Sequence, residues 1–492
     1  MDAKGLRFDF NNMFSFSVGA EAGVCDRDLA RLAPQAAAAG RHLSKVIADR
    51  ACRINLSLEW VKLPFQNKSD IDAITRLGRG ISRRYENVIS LGIGGSYLGI
   101  KAAQDALCPA YYNEFAALRK GRPRIYFEGN NLDPDTLSVL LRQLDPRKTF
   151  AVVISKSGET TETKAAFAVV ERWLKKGLGA HYGHQVLAIT DPRSGSLRQR
   201  VVQEQKKDPL SFRSLPLLPG VGGRFSEFNM GLLHLAIAGV NIHEVLAGAR
   251  AMYTRCTAKN LFKNPACLYA ALQMILYKKK GKPLAVMMPF AESLKSTADW
   301  YVQLLAESLG KKYSRKILLS PGGLETWRSD SSCPVYEGRT PISARGTNDL
   351  HSIQQNNVEG RNDKTVTFIR VEKFRTDIRV TGTGDFLSGR RYSELMKAAQ
   401  EATEWALVRQ QRPNCAILMP ELSAYCWGQL LFFFEMATAF EAEFLNVNAF
   451  DQPGVEGYKN YMYHTLHKPG LAQEIALEIT RNPLIKKKKF IL

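Results

Sequence analysis

From Asn87 onward, short β-branched or aliphatic runs alternate with stretches of helical spacing, and this alternation restricts the possible fold more than any other property of the chain. Residues 88–91, 124–127, 150–154 and 185–189 read as buried strands. Between two of them, residues 164–174 place Ala166, Val169, Val170 and Trp173 on one helical stripe. Strands and helices at this pitch predict a parallel sheet covered by helices on both faces. The pattern restarts with strand-like runs at 283–289, 316–319, 366–371 and 415–419, with a helix over 298–309. A further long helix is expected over 422–444. The expected fold class is therefore α/β, with two parallel-sheet units in tandem.

The expected division is a mostly helical N-terminal extension over 1–85, a first α/β domain over 86–250 and a helical connector over 251–282. A second α/β domain over 283–445 and a C-terminal loop and helical tail over 446–492 follow. With 492 residues, 45% of them hydrophobic, the chain can bury large cores without disulfide staples. Its eight cysteines are scattered, with no C-x-x-C pair and no Cys/His cluster at zinc spacing, so reduced thiols and no metal site are expected. No apolar run approaches the ~18–20 residues that span a bilayer, so no membrane association is expected, and the scattered cysteines lead to the expectation of a reducing cytoplasm.

Lysine and arginine number 68 against 47 acids, a net charge of +21 that favours anionic ligands. The dense runs are Lys278-Lys279-Lys280-Gly281-Lys282 and Lys486-Lys487-Lys488-Lys489, neither interleaved with aromatics as a nucleic-acid platform would be. They read as a solvated connector and a frayed tail. Sequence-independent RNA association or a targeting tract is the alternative.

The first strand runs into Gly92-Ile93-Gly94-Gly95-Ser96. A glycine-rich turn opening a helix lets main-chain N–H groups approach an anion. The dinucleotide fingerprint is not met, because Tyr97 stands where its third glycine belongs, and no Walker-type lysine follows. Either a small-anion cradle tipped by the Ser96 hydroxyl or a plain tight turn fits. The strand at 150–154 ends in Ser155-Lys156-Ser157-Gly158-Glu159-Thr160-Thr161-Glu162-Thr163, five hydroxyls in nine residues. One helix cap needs only one hydroxyl, and no capping box absorbs the rest. Several hydroxyls beside Lys156 suit three phosphoryl oxygens, and both loops fall at one edge of the expected sheet.

These two loops together resemble the sugar-isomerase (SIS) domain. Four later segments narrow the likeness: Gly222-Gly223-Arg224-Phe225-Ser226, Ala306-Glu307-Ser308-Leu309-Gly310-Lys311, Gly346-Thr347-Asn348-Asp349-Leu350-His351-Ser352 and Phe450-Asp451-Gln452-Pro453-Gly454-Val455-Glu456. In order and spacing they resemble the glucose-6-phosphate isomerase family, over roughly residues 87–459. The resemblance implies two tandem SIS-type, flavodoxin-like domains and an aldose–ketose isomerase that needs no cofactor. It assigns the sugar phosphate to Ser96, Ser155, Ser157 and Thr160, beside Lys156, and substrate contacts to Gly95, Gln303 and Gln452. It makes Glu307 the base that moves a proton between C1 and C2, sets Arg224 against the enediolate, and gives ring opening to His351 and Lys459. It further implies a homodimer in which His351 reaches the neighbouring subunit's site.

The residues support these roles unevenly. Gln303 and Glu307, four apart, share one helix face, and Gly310 suits the helix end. Glu307 paired to Lys311 at i,i+4 is the plain alternative. Arg224 behind two glycines is placed to meet an oxyanion, or is a loop charge. His351 can exchange protons near neutrality, whereas Lys459 rests wholly on the resemblance. Two departures stand out: Leu350 where the family commonly has Gln, and Gly457-Tyr458 before Lys459. Three other readings stay open: an isomerase that also accepts mannose 6-phosphate, a sugar-phosphate-binding protein without catalysis, and an RNA-associated protein.

Overall fold

The computed structural model describes residues 4–491. In chain order its strands are β1 (Arg7–Asp9), β2 (Asn87–Leu91), β3 (Arg124–Glu128), β4 (Thr149–Ile154), β5 (Val186–Thr190), β6 (Arg213–Pro216), β7 (Leu284–Pro289), β8 (Lys311–Leu319), β9 (Glu325–Glu337), β10 (Thr340–Ser343), β11 (Lys364–Lys373) and β12 (Asn414–Glu421). The chain forms two compact units, Met1–Ala449 and Phe450–Leu492. Both large sheets belong to the first.

The apolar runs β2, β4 and β5 are buried at every residue, and successive residues serve opposite faces of one sheet. Val88, Phe150, Val152 and Leu187 pack with Ile81, Ile100, Leu233 and Ile237 on one side. Ile89, Leu91, Ala151, Val153 and Val186 pack with Ala166, Val170 and Leu174 on the other. The order is β3-β2-β4-β5-β6, parallel throughout. One expected stripe needs correcting. On the Thr161–Leu178 helix Val170 is buried but Val169 is 50% exposed, because neighbouring helical residues point about 100° apart.

The second sheet has the order β1-β12-β11-β7-β10, parallel except for β1. The stretch expected to be a mostly helical extension does form the Asp26–Ala48 and Lys68–Arg84 helices, yet it also supplies β1, the antiparallel edge of this distant sheet. The expected boundary at residue 250 falls inside the Ile242–Cys256 helix. Residues 316–319 are not a strand of the second sheet. They belong to β8, which pairs antiparallel with β9 in a separate hairpin and leaves Leu319 64% exposed. The Lys278–Lys282 run closes the Pro265–Lys280 helix with Lys278 and Lys279 exposed to solvent, as expected of a connector, but each lysine also has a partner. Lys278 meets Glu337, Lys279 pairs with Asp28 at 3.2 Å, Lys280 reaches the Ala20 carbonyl at 2.7 Å, and buried Lys282 donates to Asn362 Oδ1 at 2.6 Å.

The Ala424–Leu445 helix is buried over almost its whole length, as its all-round apolar sequence requires. It crosses the Ile242–Cys256 helix at two glycines. A Cβ on Gly428 would stand 2.0 Å from the Val245 carbonyl oxygen, and one on Gly248 would stand 1.9 Å from that of Tyr425. The second unit carries the Glu456–Thr465 and Gln473–Arg481 helices. Among the described residues no helix is long and apolar enough to cross a membrane.

Gly428→Ala should force these helices apart and cost about 1–3 kcal/mol of stability. Urea unfolding checks it: an unchanged midpoint would show that the crossing relaxes freely.

Candidate active site

In the first sheet, chain connectivity reverses direction between β2 and β4, and a ligand crevice is expected beyond the carboxyl ends of strands at such a point. Both loops singled out above lie there. After β2 the main chain turns through Gly94, at φ +58°, and Gly95. Gly95 must be glycine because a Cβ would stand 2.0 Å from the Gly223 carbonyl oxygen. A Cβ on Gly94 would stand 3.0 Å from Gln303 Nε2. The turn therefore touches both the loop that precedes Arg224 and the helix that carries Glu307.

After β4, the Ser155 and Ser157 hydroxyl oxygens accept main-chain N–H groups, from Gly158 at 3.0 Å and from Glu159 at 3.1 Å. Each hydroxyl hydrogen is then left to donate to an anion. Thr160 precedes the Thr161–Leu178 helix without a side-chain cap bond, so the first helical N–H groups are not covered by it. Lys156 is exposed and extends toward Gly222, its Nζ 3.8 Å from where a Cβ there would lie. Ser96 is half-buried and makes one weak contact, to Met230 Sδ at 3.8 Å. A cavity of about 320 Å³ opens against Ser155 and Gly158. A larger one, about 930 Å³, lies apart from these loops, among the Asp26–Ala48, Ile242–Cys256 and Ala424–Leu445 helices.

Arg224 is 1% exposed. Its Nη1 donates to Glu307 Oε2 at 3.0 Å, Nε to the Ser308 hydroxyl at 2.8 Å, and Nη2 to the Glu307 carbonyl at 3.2 Å and to the Ala449 carbonyl. Gln303 Nε2 donates to Glu307 Oε1 at 3.2 Å. The Lys295–Leu309 helix that carries them buries Ala298, Tyr301, Leu304, Leu305 and Ser308, which leaves the Glu307 side chain 30% exposed on the next face. Lys311 does not pair with the Glu307 carboxylate: its Nζ donates to the Glu307 main-chain carbonyl at 2.9 Å. A carboxylate reachable from outside yet held by a buried guanidinium can accept a proton and return it beside a fixed positive charge.

His351 ends the Asn348–His351 turn, is exposed, and takes no part in the hydrogen bonds of this cluster. Leu350, the departure beside it, packs against Val286, Phe290 and Phe368 of the second sheet's core. In the second unit, Gln452 precedes the Pro453–Val455 turn and Lys459 lies on the Glu456–Thr465 helix. Burial opposes the Lys459 charge, but the Glu456 carboxylate 2.9 Å away holds the ammonium above its ordinary pKa.

The motifs included Ser308 without giving it a role, and they did not include Glu227, Trp300 or Glu435. Of these, Glu435 did carry a signal, being a lone acid in the otherwise uncharged stretch 422–440. His181, His184 and Asp208 bring their ligand atoms within 4.8 Å of one another, where no metal spacing was expected. That group precedes β5 and β6, at the opposite end of the sheet from the loops, and His184 and Asp208 already bond each other.

A family model described as phosphoglucose isomerase matches residues 72–325 and 379–476. The matched stretches hold Ser96, Ser155, Arg224, Glu307 and Lys459, while His351 lies between them. A glucose-6-phosphate isomerase of Carboxydothermus hydrogenoformans is 37% identical over 492 residues, covering 98% of each chain. One of Symbiobacterium thermophilum is 34% identical over 84% of this chain and 87% of its own. Among solved structures, a hypothetical protein of Thermus thermophilus superposes with a TM-score of 0.77 at 31% identity, over 94% of this chain and all of that one. A glucose-6-phosphate isomerase of Chlamydia trachomatis shares the fold, with a TM-score of 0.73 at 22% identity over 96% of this chain and 95% of that one.

Ser308→Ala should strand the Arg224 Nε–H in the interior and lower stability by about 1–3 kcal/mol. Thermal unfolding checks it, and an unshifted transition would mean that Arg224 does not depend on this hydroxyl.

Proposed function

Since the chain belongs to the phosphoglucose isomerase family, we infer that it interconverts D-glucose 6-phosphate and D-fructose 6-phosphate. The reaction opens the sugar ring and passes through a cis-enediolate. The observation that carries this reading is the Arg224–Glu307 pair, seated against Gln303 and the Gly94-Gly95 turn.

In the forward direction Glu307 takes the C2 proton of the open aldose. The electrons of that C–H bond form a C1=C2 double bond, and the former aldehyde oxygen becomes the enediolate oxygen facing Arg224. The same carboxyl returns its proton to C1, the O2 proton passes to O1, and the carbonyl reappears at C2. Nothing is oxidised or reduced overall, so no external electron acceptor enters.

Ser96, Ser155, Ser157 and Thr160, with Lys156, hold the phosphate in this proposal, and Gly95, Gln303 and Gln452 contact the sugar. Support comes from the oriented Ser155 and Ser157 hydroxyls and from the open start of the Thr161–Leu178 helix. His351 and Lys459 are assigned to ring opening. His351 is proposed to act in the neighbouring subunit of a homodimer, consistent with its exposure and with its absence from the Arg224 cluster. We place the reaction in the cytoplasm, in keeping with eight free cysteines among the described residues.

A coupled assay for glucose 6-phosphate formation tests the activity itself. Glu307→Gln should lower kcat by about 10²–10⁴-fold with KM nearly unchanged. A comparable loss of substrate affinity would count against Glu307 as the base. Ser155→Ala combined with Thr160→Ala should raise KM, and an unaltered KM would remove the phosphate assignment. If His351 crosses subunits, mixing inactive Glu307→Gln and His351→Ala proteins should restore activity through mixed dimers, and no recovery would place the histidine in its own subunit's site.

A further inference from the structure

Three residues beyond Arg224 stands a carboxyl group that the chemistry above leaves unused. Glu227 begins the Glu227–Met230 helix and is 4% exposed. Its Oε2 accepts the Ser226 main-chain N–H at 2.9 Å, and its Oε1 accepts the Trp300 indole N–H at 2.8 Å. Trp300 lies on the Lys295–Leu309 helix, about two turns before Glu307. A second carboxyl, Glu435, sits wholly buried on the Ala424–Leu445 helix, with its carboxyl group turned to that of Glu227. No N–H or O–H donor of another residue satisfies either Glu435 oxygen. Nor is there room to spare, since a Cβ on Gly99 would stand 2.4 Å from Glu227 Oε1.

Two carboxylates in contact, buried and without a cation, do not both ionise. The nearby charged groups are engaged elsewhere. The Arg224 guanidinium is occupied by Glu307, Ser308 and Ala449. Lys101 and Asp105 pair with each other, Asp299 accepts the Ser343 hydroxyl at 2.6 Å, and burial pushes His234 down to about 4, leaving it neutral. At least one proton is therefore shared. Glu435, which meets no donor, is the group that keeps it and donates its O–H to Glu227. Burial pushes Glu435 well above the usual carboxylate range and Glu227 up to about 7.

We propose that Glu227 and Glu435 form a proton-sharing pair that positions Arg224 against Glu307. Through Glu227 the pair holds the Ser226 amide behind Arg224 and the Trp300 indole ahead of Glu307. Both are positioning residues, and their role in turnover rests on the reading that Arg224 and Glu307 carry the chemistry. With one proton on the pair, the Glu227 carboxylate is a charge-assisted acceptor for both N–H groups; a second proton weakens that hold. Turnover should then decline on the acid side of neutrality, in kcat more than in KM.

Glu435→Gln tests this. The amide donates to Glu227 at every pH and stores no proton, so it stands in for the protonated Glu435, and the acid limb of kcat, set by protonation of Glu227, should stay where it is in the parent. Glu435→Ala should lower kcat across the range, with Gln restoring it. A second measurement needs no turnover. A carboxyl whose folded pKa is raised binds excess protons in the folded state above its unfolded pKa, so stability falls as pH rises from there through the folded value. Gln at 435 lacks this loss, so the Tm advantage of Glu435→Gln over the parent should widen from pH 5 to pH 8. A widening gap with kcat unaffected in Glu435→Ala would keep the shared proton but remove its part in positioning. A gap independent of pH would overturn the pair. Retained activity in Glu307→Gln would instead count against the proposed base and leave the Tm comparison to decide the pair.

Discussion

A permanently charged guanidinium sits almost wholly out of water at Arg224, and the rest of the site is arranged around satisfying it. Burying such a cation costs several kcal/mol unless its N–H groups find acceptors. Four of those acceptors are the Glu307 carboxylate and carbonyl, the Ser308 hydroxyl and the Ala449 carbonyl. Three of the four belong to the last turn of the helix that carries the proposed base. The contacts that offset the burial of Arg224 therefore also fix Glu307. The arrangement suits the chemistry as well: when Glu307 takes a proton it loses the negative charge facing Arg224, and the same step creates a negative oxygen on the substrate. The guanidinium exchanges one anionic partner for another, so the charge around it stays nearly constant through the step.

The sheet topology explains how residues so far apart in sequence meet. Adjacent parallel strands β2 and β4 end side by side, so the loops that follow them converge although some sixty residues separate them. The Lys295–Leu309 helix, which follows β7 of the other sheet, packs on the Leu98–Leu107 helix that begins just after the glycine turn. Each sheet thus supplies one side of the cluster, and the Gly95–Gly223 contact allows the approach. A side chain at either position has a different effect: Gly95 has a main-chain carbonyl in its way, whereas Gly223, at φ +59°, has open space but a left-handed conformation.

Much of this was legible in the chain. The central strands β2, β4, β5 and β7 are largely apolar runs that cannot sit on a surface, β11 and β12 hold apolar cores such as Phe368-Ile369 and Ala416-Ile417-Leu418-Met419, and the loops after β2 and β4 carried recognisable motifs. The short edge strands were not legible. β1, β6 and β10, reading RFD, RSLP and TPIS, are partly exposed and carry no apolar run, and their pairing is decided by the sheet they complete. The β8–β9 hairpin was misread because Ile317-Leu318-Leu319 is as apolar as a core strand, although it lines a partly exposed arm beside the Pro321-Gly322-Gly323 turn. Within the site, the family resemblance pointed to Arg224 and Glu307, which the residues alone left as a loop charge and a surface ion pair, and their direct pairing and the Ser308 hydroxyl between their segments depend on tertiary geometry. Glu435 was readable only as an anomaly, an acid where a helix should be apolar, and Glu227, the first residue of a short helix, carried no signal at all.

The net charge of +21 invites the view that selection of an anionic substrate is a property of the whole surface. The arrangement of the charges argues otherwise. The most basic internal run is taken up by Glu337, Asp28, a carbonyl and Asn362 at the close of one helix. Arg339 is likewise held in the interior, bidentate to Glu441 with Gln273 as a third partner. Salt screens exposed charges beyond about 8–10 Å, so those left at the surface act weakly at the distance of a loop they do not line. Recognition of a phosphate at the β4 loop must then come from short-range donors: oriented hydroxyls, the first N–H groups of a helix, and Lys156 as the neighbouring cation. Such donors discriminate by geometry as much as by charge, and in the proposed reaction it is that geometry which would place the sugar carbons, rather than merely the phosphate, beside Glu307.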